Sequence, residues 1–274
     1  MALGTVHNAT CANNNCTPNA TNQTIFVDGN ESGQNITVNT NMTFSNSQSL
    51  NGAVTATDRG VGITFYQSGA TNQIGDITIN QGAGITTTRR DGIAIVVRDG
   101  VDNRISGTIT NNGSLIGGSY GSGIAVWQNG KIGDLANNTG GIHNTSTGRL
   151  ESNHYGISAE GGNNQISQIT NDSGGVISGG DGAIYNTSAQ IGSITNSGEI
   201  SSSRGNAIYL ASGNTTSITN SGTISTGTHT ANVAGIWSGI TIGTITNNAG
   251  GLIEGITFSR AANTITNAGQ IANG

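Results

Sequence analysis

Ser193-Ile194-Thr195-Asn196-Ser197-Gly198-Glu199-Ile200 and Ser217-Ile218-Thr219-Asn220-Ser221-Gly222-Thr223-Ile224 are near copies of one phrase, and the fold follows from how often that phrase returns. Its core stands again at Ile109-Thr110-Asn111, Ile169-Thr170-Asn171, Ile245-Thr246-Asn247 and Ile265-Thr266-Asn267, the last followed by Gly269 and Ile271. Ile77-Thr78-Ile79 and Ile142-His143-Asn144 are divergent copies. Between copies sits a second phrase, a small residue before isoleucine: Gly62-Ile63, Gly92-Ile93, Gly123-Ile124, Gly156-Ile157, Ala183-Ile184, Ala207-Ile208, Gly235-Ile236 and Gly255-Ile256. Both phrases step about 20 to 33 residues, the period of stacked-repeat architectures. A unit of that size cannot bury its own apolar side chains, so the core must come from neighbouring copies.

Each unit holds three short pieces in which apolar and polar residues alternate: Ala207-Ile208-Tyr209-Leu210, Ser217-Ile218-Thr219-Asn220 and Thr223-Ile224-Ser225. Alternation is the period of a strand with one buried face, and no stretch shows helical spacing. Three strands and three turns per unit predict an all-β, right-handed, three-faced parallel β-helix of about 8–10 coils. The alternation turns Ile208, Leu210, Ile194 and Ile224 inward and Tyr209, Thr195, Thr223 and Ser225 outward. Residues 1–60 lack the phrases and are expected to form an N-terminal tail, a cap and the first irregular coils. Residues 61–274 are the repetitive β-helix, expected to be truncated at its C-terminal end because nothing recognisable as a cap follows Ile271.

Composition narrows the function. Only 8% of the 274 residues are charged, Lys131 is the one lysine and Pro18 the one proline, and the formal net charge is −5. No basic stripe suited to nucleic acid is present, and no apolar run approaches a membrane-spanning helix. Cys11 and Cys16 are too few ligands for a structural zinc site; a small disulfide, gaining roughly 2 kcal/mol from so short a loop, is expected instead. The asparagines that end the repeated phrase (Asn111, Asn144, Asn171, Asn196, Asn220, Asn247 and Asn267) are expected to stack as an internal amide ladder, at a corner where asparagine also tolerates left-handed backbone.

The Ile-Thr-Asn-x-Gly-x-Ile coil, rich in Gly, Asn, Ser and Thr, nearly without lysine and preceded by a close cysteine pair, resembles the passenger domains of Gram-negative autotransporters, above all the adhesin-type ones. The resemblance covers Val61 to Gly274. It implies export through the inner membrane, passage through an outer-membrane β-barrel and display or release outside the cell. It also implies that membrane contact belongs to a C-terminal barrel outside this sequence. Two cysteines that close a tiny loop, and a solenoid that can propagate coil by coil, suit that route.

Chemistry is harder to place. Asp91 and Asp181 share a repeat phase, but His154 and Arg204 occupy that region in the intervening and following coils, so no stacked carboxylate pair of the polysaccharide-cleaving kind is expected. Asp76 and Asp134 lie on the loop side. His7, His143, His154 and His229 show no metal spacing, and no nucleophile elbow is expected. No catalytic residue, metal or cofactor is assigned. A polysaccharide-cleaving enzyme and an inert spacer stalk are the alternatives to an adhesin or a self-associating surface rod. The extra length in early coils, from Val97 to Ser106 and from Gln128 to Gly141, gathers Arg98, Asp99, Asp102, Arg104, Lys131 and Asp134 on one side. Aromatics make up only 4% of the chain, so their placement is informative. The position after the small-residue–isoleucine step reads Thr64, Ala94, Ala125, Ser158, Tyr185, Tyr209, Trp237, Thr257. Tyr185, Tyr209 and Trp237 are thus expected to form an outward column that binds glycans or proteins of a host or bacterial surface, with homotypic association as the second mode.

Overall fold

The computed structural model describes residues 5–19, 23–28, 33–45, 60–65, 72–98, 103–227, 233–259 and 264–272. They form a three-faced parallel β-helix with no helix among the described residues. Each coil contributes a strand to each of three long sheets, and three early coils add a second short strand, Gln73–Ile74, Arg104–Ile105 and Lys131–Ile132, to the second. In the seventh coil these are Ile208–Leu210 on the first face, Asn214–Asn220 on the second and Thr223–Thr226 on the third. The third sheet has 9 strands, from Asn41–Phe44 to Gln270–Ala272, one per coil. With strands spaced about 4.8 Å, the stack is roughly 40 Å long.

Register is held by identical residues. Ile25, Ile63, Ile95, Ile124, Ile157, Ile184, Ile208, Ile236 and Ile256 pair in sequence along the first face. All but Ile256 are at most 1% exposed. Each such burial contributes about 1.5–3 kcal/mol, and a one-residue slip would turn the whole row to solvent. The small residue before each isoleucine also points inward, at the corner where the third face closes onto the first. A Cβ at Gly62 would sit 2.5 Å from both the Ala94 carbonyl and an Ile85 methyl.

One phase of the sequence reading needs correction. In the third coil the inward pair is Ala94-Ile95, not Gly92-Ile93: Ile95 pairs with Ile63 and Ile124, whereas Ile93 pairs with Val61 and Ser122 and faces outward. Ala94 therefore belongs to the core, and Val96 takes the outward position given to Ala94. Ile93–Val97 is apolar throughout, so its alternation carries no phase.

The amide ladder runs up the corner between the second and third faces. Asn111 Nδ2 donates to Asn144 Oδ1 at 2.8 Å, Asn144 to Asn171, Asn171 to Asn196, Asn196 to Asn220, Asn220 to Asn247, and Asn247 to Asn267 at 2.8 Å. From Asn111 to Asn247 every member is at most 1% exposed. None has positive φ, so left-handed backbone is not why asparagine stands there. The amide is needed because the same nitrogens also meet carbonyls around the corner, such as Gly175 O from Asn171. The glycine two residues on is fixed by crowding: a Cβ at Gly222 would lie 2.1 Å from the Gly198 carbonyl. A shorter series at the opposite corner, Asn72 donating to Asn103 at 2.7 Å and Asn164 donating to Ser188 at 3.0 Å, has no counterpart in the repeated phrase.

The N-terminal end is covered. Thr5–His7 runs antiparallel to Ile25–Asp28 on the first face. Ala9–Ala12 and Asn15–Pro18 form a hairpin whose second strand pairs with Asn35–Val38 on the second face. Asn13 and Asn14, at φ 50° and 60°, make the two-residue turn that matches strand twist. Directly opposed on that hairpin, Cys11 and Cys16 form a disulfide with Cα atoms 4.0 Å apart. At the other end Ile265 and Ile271 remain 40% and 38% exposed.

Candidate functional site

Among the described residues the tyrosines and tryptophans gather on the first face, and its two halves differ. Register aligns the outward column as Thr64, Val96, Ala125, Ser158, Tyr185, Tyr209, Trp237, Thr257. Tyr185 and Tyr209 stack with centroids 5.2 Å apart and planes within 7°; Tyr209 and Trp237 stack at 4.5 Å and 14°. Tyr155 extends the stack at 4.1 Å and 8° from Tyr185. Its backbone pairs with Gly182, three residues before Tyr185, and its ring passes over Gly182 to reach Tyr185. His154 follows 3.7 Å from Tyr155, Tyr120 lies 6.0 Å from His154, and the Arg90 guanidinium sits 4.0 Å over the Tyr120 ring. Tyr155, Tyr185, Tyr209 and Trp237 are half-buried and spend their faces on one another, leaving edges and polar tips toward solvent. Burial is the main reason the Tyr155 and Tyr185 phenols are pushed up from the usual tyrosine range, and the Glu160 carboxylate adds to it.

In the N-terminal half the same column holds small or aliphatic residues, and a cleft of about 550 Å³ lies over it. Tyr120 and His154 form one wall, Trp127, Arg98 and Glu160 the other, with Ser122 on the floor. Trp127 packs on an outward aliphatic cluster of Val61, Ile93, Val96 and Ala125. Its indole Nε1 donates to Ser158 Oγ at 3.3 Å, and Ser122 Oγ donates to the same oxygen at 3.0 Å. Both serines are buried, so the ring is held from below. The chain then turns through Gln128 and Asn129, at φ 48° and 76°. Left-handed glutamine is uncommon, and such backbone gathers at functional sites.

Tyr185, Tyr209 and Trp237 thus stand on one column, while Tyr155, Tyr120, Trp127, His154 and Glu160 were missed by the sequence reading. A signal existed: Trp127 is one of two tryptophans and sits three residues after the inward Ile124. Of the loop charges, Arg104 and Lys131 stand in register on neighbouring short strands. Asp134 accepts hydrogen bonds from the Asn137 side chain and from the backbone of Ala136 and Asn137, which hold its carboxyl below the usual range. Arg98 lies with its guanidinium 5.8 Å from the Trp127 ring. Asp99, Asp102 and His229 lie outside the described residues.

The remaining titratable groups pair locally. Arg204 Nε donates to Asp181 Oδ1 at 2.8 Å, with His154 Nε2 3.6 Å from Asp181 Oδ2; His143 meets Asp172 at 2.8 Å. Among the described residues no three His, Cys, Asp or Glu side chains come together as a metal site, and no helix is long and apolar enough to cross a membrane. The expectation of no nucleophile-elbow spacing is wrong as written: Gly117-Gly118-Ser119-Tyr120-Gly121 has it. That motif requires a strand before it and a helix after it, whereas strand Ser122–Trp127 follows here, and Ser119 makes no hydrogen bond to a described histidine. No family model matches the chain, and neither a curated protein nor a solved structure matches it.

Proposed function

We propose that the chain is an extracellular binding rod, an adhesin or self-associating surface protein of the autotransporter passenger kind, that engages surface glycans or proteins through outward side chains of its first face. The observation that carries the reading is the concentration of aromatic side chains there. In a chain with 4% aromatic residues, seven of the large rings and imidazoles with their arginines form one stack and one cleft on a single face. An inert spacer would gain stability from the stack but has no use for the open cleft beside it, whereas recognition surfaces concentrate Tyr, Trp and Arg. Adhesion of cells displaying the chain, compared with cells displaying a variant in which Tyr120, Trp127 and Tyr209 are replaced, tests it. Equal adhesion by both removes the first face as the binding surface.

Lateral self-association has its own supporting observation. The second face presents two uncharged hydroxyl columns in register, Thr170, Thr195, Thr219 and Thr246 beside Ser193, Ser217 and Thr244. Such a face pairs without charge repulsion through many weak, wet contacts. Light scattering against concentration decides: a strictly monomeric rod at millimolar concentration removes this mode.

A further inference from the structure

We infer that the cleft between Tyr120 and Trp127 is a subsite for one neutral pyranose of a glycan, with Glu160 as its principal hydrogen-bond acceptor. The inference rests on the binding-rod reading above and names where and what the rod binds. Three observations carry it. First, the aromatic stack is a poor platform for a sugar, because each interior ring has neighbours on both faces, 4.1 to 5.2 Å away. The cleft begins where the outward column falls to Ser158 and Ala125 and the rings no longer cover one another. There Tyr120 is 55% exposed, and Trp127 is half-buried above its aliphatic bed.

Second, the polar lining is mixed in charge. Glu160 and Arg98 stand on one wall and His154 on the other. Among the described residues, no side chain donates a hydrogen bond to the Glu160 carboxylate, though it lies close enough to Tyr155 and Tyr185 to raise their phenols. An anionic ligand would meet that carboxylate, and a cationic one would meet Arg98. A neutral ring with hydroxyls that both donate and accept suits both, with its C–H face on an aromatic wall. Third, the cleft is pre-organised. Ser158, itself held by Ser122, fixes the indole through Nε1, and the Gln128–Asn129 turn sets the wall behind it. A volume of about 550 Å³ falls within the range of small-molecule sites.

The test uses the whole chain. The tryptophan signal is confined to Trp127 by Trp237→Phe, and methyl glycosides of mannose, galactose and N-acetylglucosamine are titrated by fluorescence and by ligand-observed NMR. Tyr120→Ala and Glu160→Gln change exposed or half-buried groups, so the fold is expected to survive, checked by an unchanged melting curve. Support is saturable binding of at least one glycoside that each variant weakens about tenfold or more, with Arg149→Ala on the third face unchanged. Glycoside binding that persists in both variants overturns the cleft while leaving the rod a binder. So does binding lost only on replacing Tyr185, Tyr209 or Trp237. Adhesion by displayed chains without any glycoside binding, or with binding only of sulfated or sialylated glycans, overturns the neutral-sugar class. Loss of adhesion altogether, with the fold intact, strikes the underlying reading instead.

Discussion

The two halves of the rod are built from the same coil yet end up as different objects. In the N-terminal half the second-face strand is interrupted: Arg104–Ile105 and Thr108–Asn111 are separate strands, and Gly133 to Gly140 loops out before Gly141–Asn144. The first face there is cleft and aliphatic bed. In the C-terminal half, Gln165–Asn171, Gln190–Asn196 and Asn214–Asn220 each run seven residues unbroken, and the first face is a filled ladder of rings. Regularity goes with self-satisfaction: rings and amides that repeat bind their own copies. Recognition needs the place where repetition lapses, because only there do side chains keep unmatched surface.

The sharpest contrast is expected between the ends. Ile25 and Ile36 are fully buried beneath the N-terminal cap, while Ile265 and Ile271 are not. Amide exchange at Thr264–Asn267 should run at local-opening rates, and at Asn35–Val38 near the global rate; equal protection would mean that the C-terminal coil is covered. Next comes the ladder at the boundary of the halves. Asn171→Ala leaves the Asn196 acceptor unmatched in a buried corner and takes from the Asn144 nitrogen one of its acceptors, the Gly148 and Val176 carbonyls remaining, an expected loss of about 2–3 kcal/mol in urea unfolding. Asn267→Ala, with one ladder neighbour, should cost under about 1 kcal/mol.

A double dissociation then separates ring from cleft. Tyr209→Ala should lower stability by about 2 kcal/mol through lost stacking and burial, and Tyr120→Ala should stay within about 0.5 kcal/mol. The reverse ranking in thermal melts would undo the division into a structural half and a recognition half. The smallest effect is in alkali. The Tyr155 and Tyr185 phenols hold their protons more tightly in the fold than in the unfolded chain. Their contribution is therefore intact below pH of about 10 and declines as pH rises above it. Tyr155→Phe should flatten that decline; an unchanged slope would mean that the ring ionises freely.

The coil, its three strands, the inward isoleucines and the asparagine column were legible in the sequence because each rests on local alternation repeated many times. What failed did so for identifiable reasons. Ile93–Val97 is apolar at every position, so its phase came only from its neighbours in the sheet. Tyr155 sits three positions earlier in its repeat than Tyr185, and the two meet only because the Tyr155 ring leans along the strand over Gly182. Pairing by equal phase cannot see that. The cleft was hidden because it is defined by what Val96, Ala125 and Ser158 do not fill, and by walls drawn from three coils.

The amide ladder has a direction. From Asn111 to Asn247 each side chain donates toward the next coil, and from Asn144 on each accepts from the one before, so the amide dipoles all point one way along the rod. Hydrogen bonds in such a chain polarise one another. A coil arriving at the C-terminal side meets an asparagine already strengthened as a donor by those behind it, and its own amide is oriented as it lands. Every coil from Asn144 onward thus meets the same oriented donor from the coil behind it, whereas the first coils, with Val38 and Ile79 at that position, are held by the cap and the apolar core instead.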